Sequence, residues 1–392
     1  MIPVVQLTEV AQLNPRLITR PANDAIISFL AMADVGIDGT TSEGEDRQFS
    51  DTTKGYTQFR RGDILVAKIT PCFENGKIAQ AQIRNEQGAG STEFHVIRPN
   101  PSFLNGRYLH HFLRQPIIRF AGEHRMTGSG GQRRIPEAYL SQLKIPIPPF
   151  EKQQQIAEAL DQADALRAKR RQAITLLEEL AQSTFHDMFM SSDGVHAAWP
   201  SHSISDVCNL VVDCINRTAP TVETPTPYKM IRTTNVRNGI VDLSSVKYVD
   251  RETFTRWNRR ATPRPGDVLL TREAPVGEAG ILYSEENVFL GQRLMLYRTN
   301  PELITPEYLL AAFRSNFLAR QFQKYGSGST VKHLPLPACR NFEIPLPPIS
   351  LQRRYENRIQ NINSMKTFYS ASLKMLDDLF NSLQSKAFRG EL

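Results

Sequence analysis

Two kinds of apolar pattern alternate along this chain. The first is short. Runs such as Ile64-Leu65-Val66-Ala67, Phe94-His95-Val96-Ile97, Val268-Leu269-Leu270 and Leu294-Met295-Leu296-Tyr297 are bounded by Gly, Pro, Asn and Asp. They predict strands, two of them launched from a Gly-Asp turn. Helical patches are expected around Tyr108–Phe120 and Pro306–Phe322. The second kind is long. From Glu151 to about Met190 there is neither Pro nor Gly. Apolar residues fall at Ile156, Leu160, Ala163, Leu166, Ala173, Leu177, Leu180 and, with its methyl, Thr184, while Arg170 takes the one clearly polar slot. A second such stretch, about Leu351 to Ala387, carries Tyr355, Ile359, Ile362, Met365, Tyr369, Leu376, Leu379 and Leu383. Steps of three and four predict amphipathic helices that pair as in a coiled coil. Pro148-Pro149 and Pro347-Pro348 stand just ahead of each first turn, where proline is tolerated. A helix of forty residues is a rod of about 60 Å.

The order strand region, helical patch, Gly/Ser loop, proline stop and rod occurs twice, which marks a tandem repeat. Arg61-Gly62-Asp63-Ile64-Leu65-Val66 returns as Pro265-Gly266-Asp267-Val268-Leu269-Leu270, 204 residues on. Tyr108-Leu109 returns as Tyr308-Leu309, and Ile145-Pro146-Ile147-Pro148-Pro149 as Ile344-Pro345-Leu346-Pro347-Pro348. The reading is an α+β chain of four segments: a globular domain over 1–149, a spacer helix over 150–190, a second globular domain over 191–348 and a second spacer helix over 349–392. If the first rod leads away from the first globule, the second must run back along it. An antiparallel pair with pseudo-two-fold symmetry is expected, a shape that suits two half-sites on duplex DNA.

Composition adds limits. The 392 residues carry a net charge of +7, and 40% are hydrophobic, enough for packed cores. No apolar run approaches the roughly 18 residues of a membrane helix. The N-terminus lacks a charged start and an apolar core, so no secretory signal and no membrane are expected. The four cysteines form no C-x-x-C pair, which suggests neither a zinc site nor a disulfide framework and fits a reduced, cytoplasmic protein. Basic charge is concentrated in two blocks. Residues 84–134 hold eight Arg/Lys against three Asp/Glu, residues 229–272 hold ten against four, and residues 151–190 hold five against seven. Such blocks suit an anionic polymer gripped at two places.

Catalytic signatures are missing from the sequence: no phosphate-binding P-loop, no dinucleotide-binding glycine fingerprint after a strand, no H-E-x-x-H. An amino-methyltransferase motif is rejected, because Ile147 stands where an Asn or Asp must precede Pro148-Pro149-Phe150. No metal site is expected. The polar loops are the better candidates. Thr127, Gly128, Ser129, Gly130, Gln132, Arg133 and Arg134 combine flexible backbone with groups that hold phosphates or base edges. Their counterparts are Gly326, Ser327, Gly328, Ser329, Thr330, Lys332 and His333. Arg232, Thr233, Asn235, Arg237, Arg259, Arg260, Arg272 and Arg293 complete the expected DNA-contact set. Phe185, Met188, Phe189, Phe368, Phe380 and Phe388 lie beyond the helical stripes and are expected to bind partner subunits.

With these pieces assembled, the chain resembles the specificity subunits of type I restriction–modification enzymes over essentially its whole length. The matching stretches are R-G-D-I-L at 61–65, P-G-D-V-L at 265–269, S-T-E-F-H-V-I-R-P at 91–99, L-G-Q-R at 290–293, both Gly/Ser loops, both I-P-[IL]-P-P junctions and the ending Lys386-Ala387-Phe388-Arg389-Gly390-Glu391-Leu392. The resemblance implies two target-recognition domains with conserved helical spacers, and no chemistry in the chain itself. It implies duplex DNA, two methyltransferase subunits and two restriction subunits as partners. S-adenosylmethionine, ATP and magnesium would sit on those partners, and the target would be bipartite and asymmetric. Residues 20–60 and 220–260 depart most between the two copies. Two rivals stay open: a stand-alone bipartite DNA-binding regulator, and a chain that is itself a methyltransferase or nuclease.

Overall fold

The computed structural model describes residues 2–16, 20–129, 131–190, 199–326 and 333–392. The chain falls into two compact units, Met1–Gln172 with Ser370–Leu392, and Ala173–Tyr369. Each unit takes part of both long helices, Phe150–Phe189 and Ile349–Arg389.

The first unit holds two four-stranded sheets. One is antiparallel throughout, in the order Ala11–Leu13, Phe94–Pro99, Ile64–Ala67, Ile78–Gln80. Ile64 to Ala67 are all buried, as a run without alternation requires of a strand covered on both faces. The other sheet runs Glu45–Gln48, Ile26–Leu30, Gln87–Gly90, Thr57–Arg60, with its central pair parallel. A ribbon of Val4–Gln6 against Lys144–Pro146 closes the unit and delivers the chain to the first long helix.

The second unit repeats this frame. Cys208–Asp213, Leu294–Thr299, Val268–Thr271 and Ala279–Ile281 follow the same order, extended by the short strands Gly239–Val241 and Val236–Arg237. Its second sheet has three strands: Lys247–Tyr248, Tyr228–Ile231 and Asn287–Leu290. After Lys247–Tyr248 the second unit forms a helix, Arg251–Trp257, which packs on this sheet through Phe254, where the first unit has the short turn Phe49–Thr52 followed by the strand Thr57–Arg60. Ser201–Ser203 against Glu343–Pro345 closes it.

The repeated Gly-Asp turn has a structural reason. Gly62 and Gly266 sit at φ +88° and +89°, left-handed backbone that favours glycine. Asp63 then accepts from the Arg60 amide at 2.9 Å, and Asp267 from the Arg264 amide at 2.7 Å.

Each expected helical patch divides in two. Pro116 has no amide proton to continue a helix, so Gly106–Leu113 ends and Pro116–Glu123 begins. Ser315 caps Asn316–Tyr325, separating it from Pro306–Phe313.

A buried glutamine fastens each long helix at its start. Gln153 accepts from the Asn105 amide at 2.9 Å and donates to Phe103 O and Pro148 O at 2.9 and 3.0 Å. Gln352 accepts from the Thr305 amide at 3.0 Å and donates to Leu303 O and Pro347 O at 3.0 and 2.8 Å.

Within each unit the helical segments pair antiparallel. In the first, Arg171 reaches Asp377, and Arg167, four residues earlier, lies over the Phe380 ring, three residues later. In the second, Glu178 pairs with Lys366, and Phe185 packs on Tyr355. The buried stripe is narrower than the periodicity suggests. Ile156, Leu160, Ala163 and Leu177 are buried, but Leu166, Leu180, Met365 and Leu379 are about half exposed.

The expected partner-binding side chains need correction. Phe185, Met188 and Phe189 lie in the core of the second unit, where Phe189 meets the Tyr308 ring edge to face at 4.8 Å. Phe380 and Phe388 lie in the first, where Phe388 stacks on Tyr108 at 5.0 Å. Each is covered by its own unit, because the last turns of the helices pack into globular cores. Phe368 alone of the six is well exposed, at 67%.

Candidate nucleic-acid interface

In the first unit the Gly/Ser loop is closed by Thr127 and Arg134, whose backbones exchange hydrogen bonds of 3.0 and 2.8 Å. Gly128 lies at φ +125°, and a Cβ there would meet Gln132 O at 2.8 Å, so this tight return requires glycine. Thr127, Ser129 and Gln132 are exposed. The two arginines are not free. Arg134 forks onto Glu93, at 2.9 Å from Nε and 2.8 Å from a terminal nitrogen. That bond raises the guanidinium and lowers the Glu93 carboxyl. Arg133 lies 3.6 Å from Glu74 and 4.0 Å from Glu123. Lys68 stands beside the same Glu93. Burial lowers its ammonium, against the pull of Glu93 and Glu137.

The matching junction in the second unit carries different charges on the same backbone. Lys68 N donates to Glu93 O at 2.7 Å, and Arg272 N donates to Arg293 O at 2.8 Å. Ile135 N donates to Lys68 O at 2.9 Å, and Leu334 N donates to Arg272 O at 3.0 Å. Arg293 stands where the first unit has Glu93, and its Nε reaches Glu273 at 2.9 Å. Arg272 is half-buried, and its Nε donates to Leu334 O. His333, also half-buried, precedes that residue. Gly326 ends the helix Asn316–Tyr325, its amide bonded to Phe322 O. Gly130, Ser327, Gly328, Ser329, Thr330 and Lys332 lie outside the described residues.

The remaining expected DNA-facing residues separate. Asn235 is buried, and its side chain accepts from Arg232 N and donates to Asp242 O and Ser245 O. It holds a turn together and is not open to DNA, a correction the sequence pattern could not anticipate. Thr233 Oγ1 donates to Ala274 O, and Arg232 donates to Ser245 O. Arg237 is exposed. Arg260 pairs with Asp213 at 2.6 Å.

Arg259 belongs to a group that the sequence pattern only partly singles out. With Arg251, Glu252, Thr255 and Arg256 it lines an open concave surface of about 800 Å³. The sequence signal was the basic run itself, Arg251, Arg256, Arg259 and Arg260; Arg251 and Thr255 share a helical face, while Arg259 lies in the turn beyond the helix. The first unit has a smaller groove of about 350 Å³, lined by Asn14, Pro15, Arg16, Thr57, Gln58 and Val96.

Among the described residues, no group of three or more His, Cys, Asp or Glu could hold a metal ion. None of their helices is long and apolar enough to cross a membrane.

The chain matches the family described as type I restriction modification DNA specificity domain twice, over residues 4–176 and 197–367. It is 40% identical over 153 residues to the type I restriction enzyme EcoAI specificity subunit of Escherichia coli, covering 38% of this chain and 26% of that protein. It is 24% identical over 322 residues to the EcoKI specificity subunit of Escherichia coli K12, covering 76% and 68%. The matches thus span about a quarter of the length of the EcoAI and EcoEI subunits. Its fold is similar to the S subunit of a type I restriction–modification system from M. genitalium, at 13% identity and a TM-score of 0.60 over 99% of this chain and 96% of that one. A chain from a study of complex assembly and conformational transition in a type I system matches at 19% identity and TM-score 0.57, over 100% of both chains. Two matched segments on two copies of one frame lead to a single conclusion: this chain belongs to the type I restriction modification DNA specificity domain family.

Proposed function

We propose that the chain is the sequence-reading subunit of a type I restriction–modification complex. It binds duplex DNA at two unlike half-sites, through the globular segments 1–149 and 191–348, and performs no chemistry itself. Two methyltransferase subunits, carrying S-adenosylmethionine, would flip and methylate one adenine per half-site, since the N6 amine is unreachable in the stack. Two restriction subunits, with ATP and magnesium, would cleave. The site of action is the cytoplasm, where the DNA is.

One observation carries this reading. The same frame occurs twice with its polar rim rewritten: Lys68, Glu93 and Arg134 in one unit, and Arg272, Arg293 and Glu273 in the other. Phosphate contacts position a protein and base contacts specify it, so a kept frame with altered rim groups is what two readers of different sequences need.

The test is to co-express the chain with its neighbouring methyltransferase and map N6-methyladenine across a genome. A bipartite, non-palindromic motif is expected. A palindromic motif, or methylation without sequence preference, would overturn the reading, as would methyl transfer to DNA by the purified chain alone.

A further inference from the structure

We propose that the outer face of helix Arg251–Trp257, with Arg259 just beyond it, is a phosphate clamp for the DNA backbone in the second unit. The inference rests on the DNA-reading role above and names where the backbone is held.

Charge comes first. The other arginines that sequence marks as DNA contacts are largely committed: Arg133 to Glu74, Arg134 to Glu93, Arg260 to Asp213 and Arg293 to Glu273. Arg251, Arg256 and Arg259 form no ion pair among the described residues. A committed guanidinium must leave its carboxylate before taking a phosphate. Arg256 lies over the Trp257 ring at 5.6 Å and Arg259 Nε donates to Arg256 O, but neither contact neutralises the charge, so a phosphate has only to displace counterions.

Geometry comes second. Arg251 and Thr255, four residues apart, share one face of the helix, about 6 Å apart along the axis, with Arg256 beside them and Arg259 in the turn that follows. All four are exposed and border the same concavity, where Glu252 is the one carboxylate. Three guanidiniums and a hydroxyl facing an open trough suit a chain of phosphates better than a single small anion.

The third argument is rigidity. Like charges on one helical face repel, so the face persists only if the opposite one is held. Asp250 caps the helix, accepting from Thr253 N at 2.7 Å. Phe254 packs on Tyr228 at 4.7 Å and on Phe289 at 6.4 Å. Asn258 donates to Val288 O at 3.3 Å, tying the end of the helix to the strand Asn287–Leu290. Arg259 Nε donates to Arg256 O at 3.1 Å, which fixes the turn that carries the third charge. In the first unit the groove lined by Thr57 and Gln58 has Arg16 as its one charged residue among the described residues.

The test uses the full chain in complex with its methyltransferase, and a random-sequence duplex as the probe. Arg251→Gln, Arg256→Gln and Arg259→Gln together should reduce the slope of log affinity against log salt by about 2.7, or about 0.9 for each phosphate that is no longer neutralised. Affinity should fall by the same factor for random and target duplexes. The triple Arg→Lys variant should retain the slope. Glu252→Gln should act in the opposite sense, tightening binding to both duplexes, which a helix merely needed for folding would not do. An unchanged slope in the triple Gln variant overturns the clamp, and so does a loss of sequence preference at constant slope, since the face would then read bases. Absence of duplex binding by the unmodified complex would instead defeat the DNA-reading role itself, a distinguishable outcome.

Discussion

Arg98 forks onto Asp63 inside the first unit, with Nε 2.8 Å from one carboxylate oxygen and a terminal nitrogen 2.7 Å from the other. Arg298 and Asp267 repeat the pair at 2.8 Å for both bonds. The carboxylate is 2% exposed in both, but the arginine side chain is 9% exposed in the first pair and 26% in the second. The Asp that ends the repeated Gly-Asp turn is thus a clasp between two neighbouring strands of the main sheet.

Breaking that clasp should be costly, because it strands a charge in the core. Arg98→Met should destabilise the first unit by about 3–5 kcal/mol, and Arg298→Met should cost the second less, since water reaches that arginine. Denaturant unfolding with a probe in each unit measures both. Equal losses would count against burial as the cause.

The buried glutamines offer a second test. Gln153→Leu keeps the bulk but leaves the Asn105 amide and two carbonyls without partners, so about 2–3 kcal/mol should be lost. Gln352→Leu should do the same in the second unit. Amide exchange should speed up in the first turns of the corresponding long helix, and protection left intact there would show that water replaces the side chain.

Two carboxyls set opposite responses to pH. Burial, and then the neighbouring Glu356, raise Glu307 to about 7. A folded value above the unfolded one of about 4.3 means that folding favours the proton, so this contribution is present at low pH and is lost as pH rises towards 7. Burial would also raise Asp161, but hydrogen bonds from His111 and Arg107 outweigh it and hold the carboxyl at about 2. Its contribution is present above about 3.9 and is lost as pH falls towards 2. Glu307→Gln should flatten the stability profile between about pH 4 and 7 and stabilise the protein above that range. A profile that keeps its slope would assign it to another group.

The aromatic residues near the helix ends should separate by environment. Phe189→Ala empties a packed site against Tyr308 and should cost about 3–5 kcal/mol. Phe368→Ser should change stability by no more than about 0.5 kcal/mol, because that ring is mostly in water. Thermal melts of the two variants decide it. A large loss for Phe368→Ser would mean that the ring is covered in the folded protein.

Much was legible without coordinates. The offset between Asp63 and Asp267 exposed the repeat, the Val66 and Leu270 runs were strands, and the proline-free stretches were helices. All of these are local properties, encoded by spacing and by the conformational limits of Gly and Pro. The helix breaks at Pro116 and Ser315 are equally local in origin.

Tertiary structure alone decided which of those residues were available. Arg134 reads as a free DNA contact until Glu93, 41 residues away, is brought against it. Asn235 reads as an adenine-reading amide until its turn folds around it. Phe189 and Phe388 read as outward rings until cores centred on Tyr308 and Tyr108 close over them. The helix bearing Arg251 and Arg256 gained its meaning in the same way, when neighbouring strands took one face and left the other to solvent. Periodicity sets which side of an element is apolar, but whether a charge is spent or a ring is covered depends on partners distant along the chain.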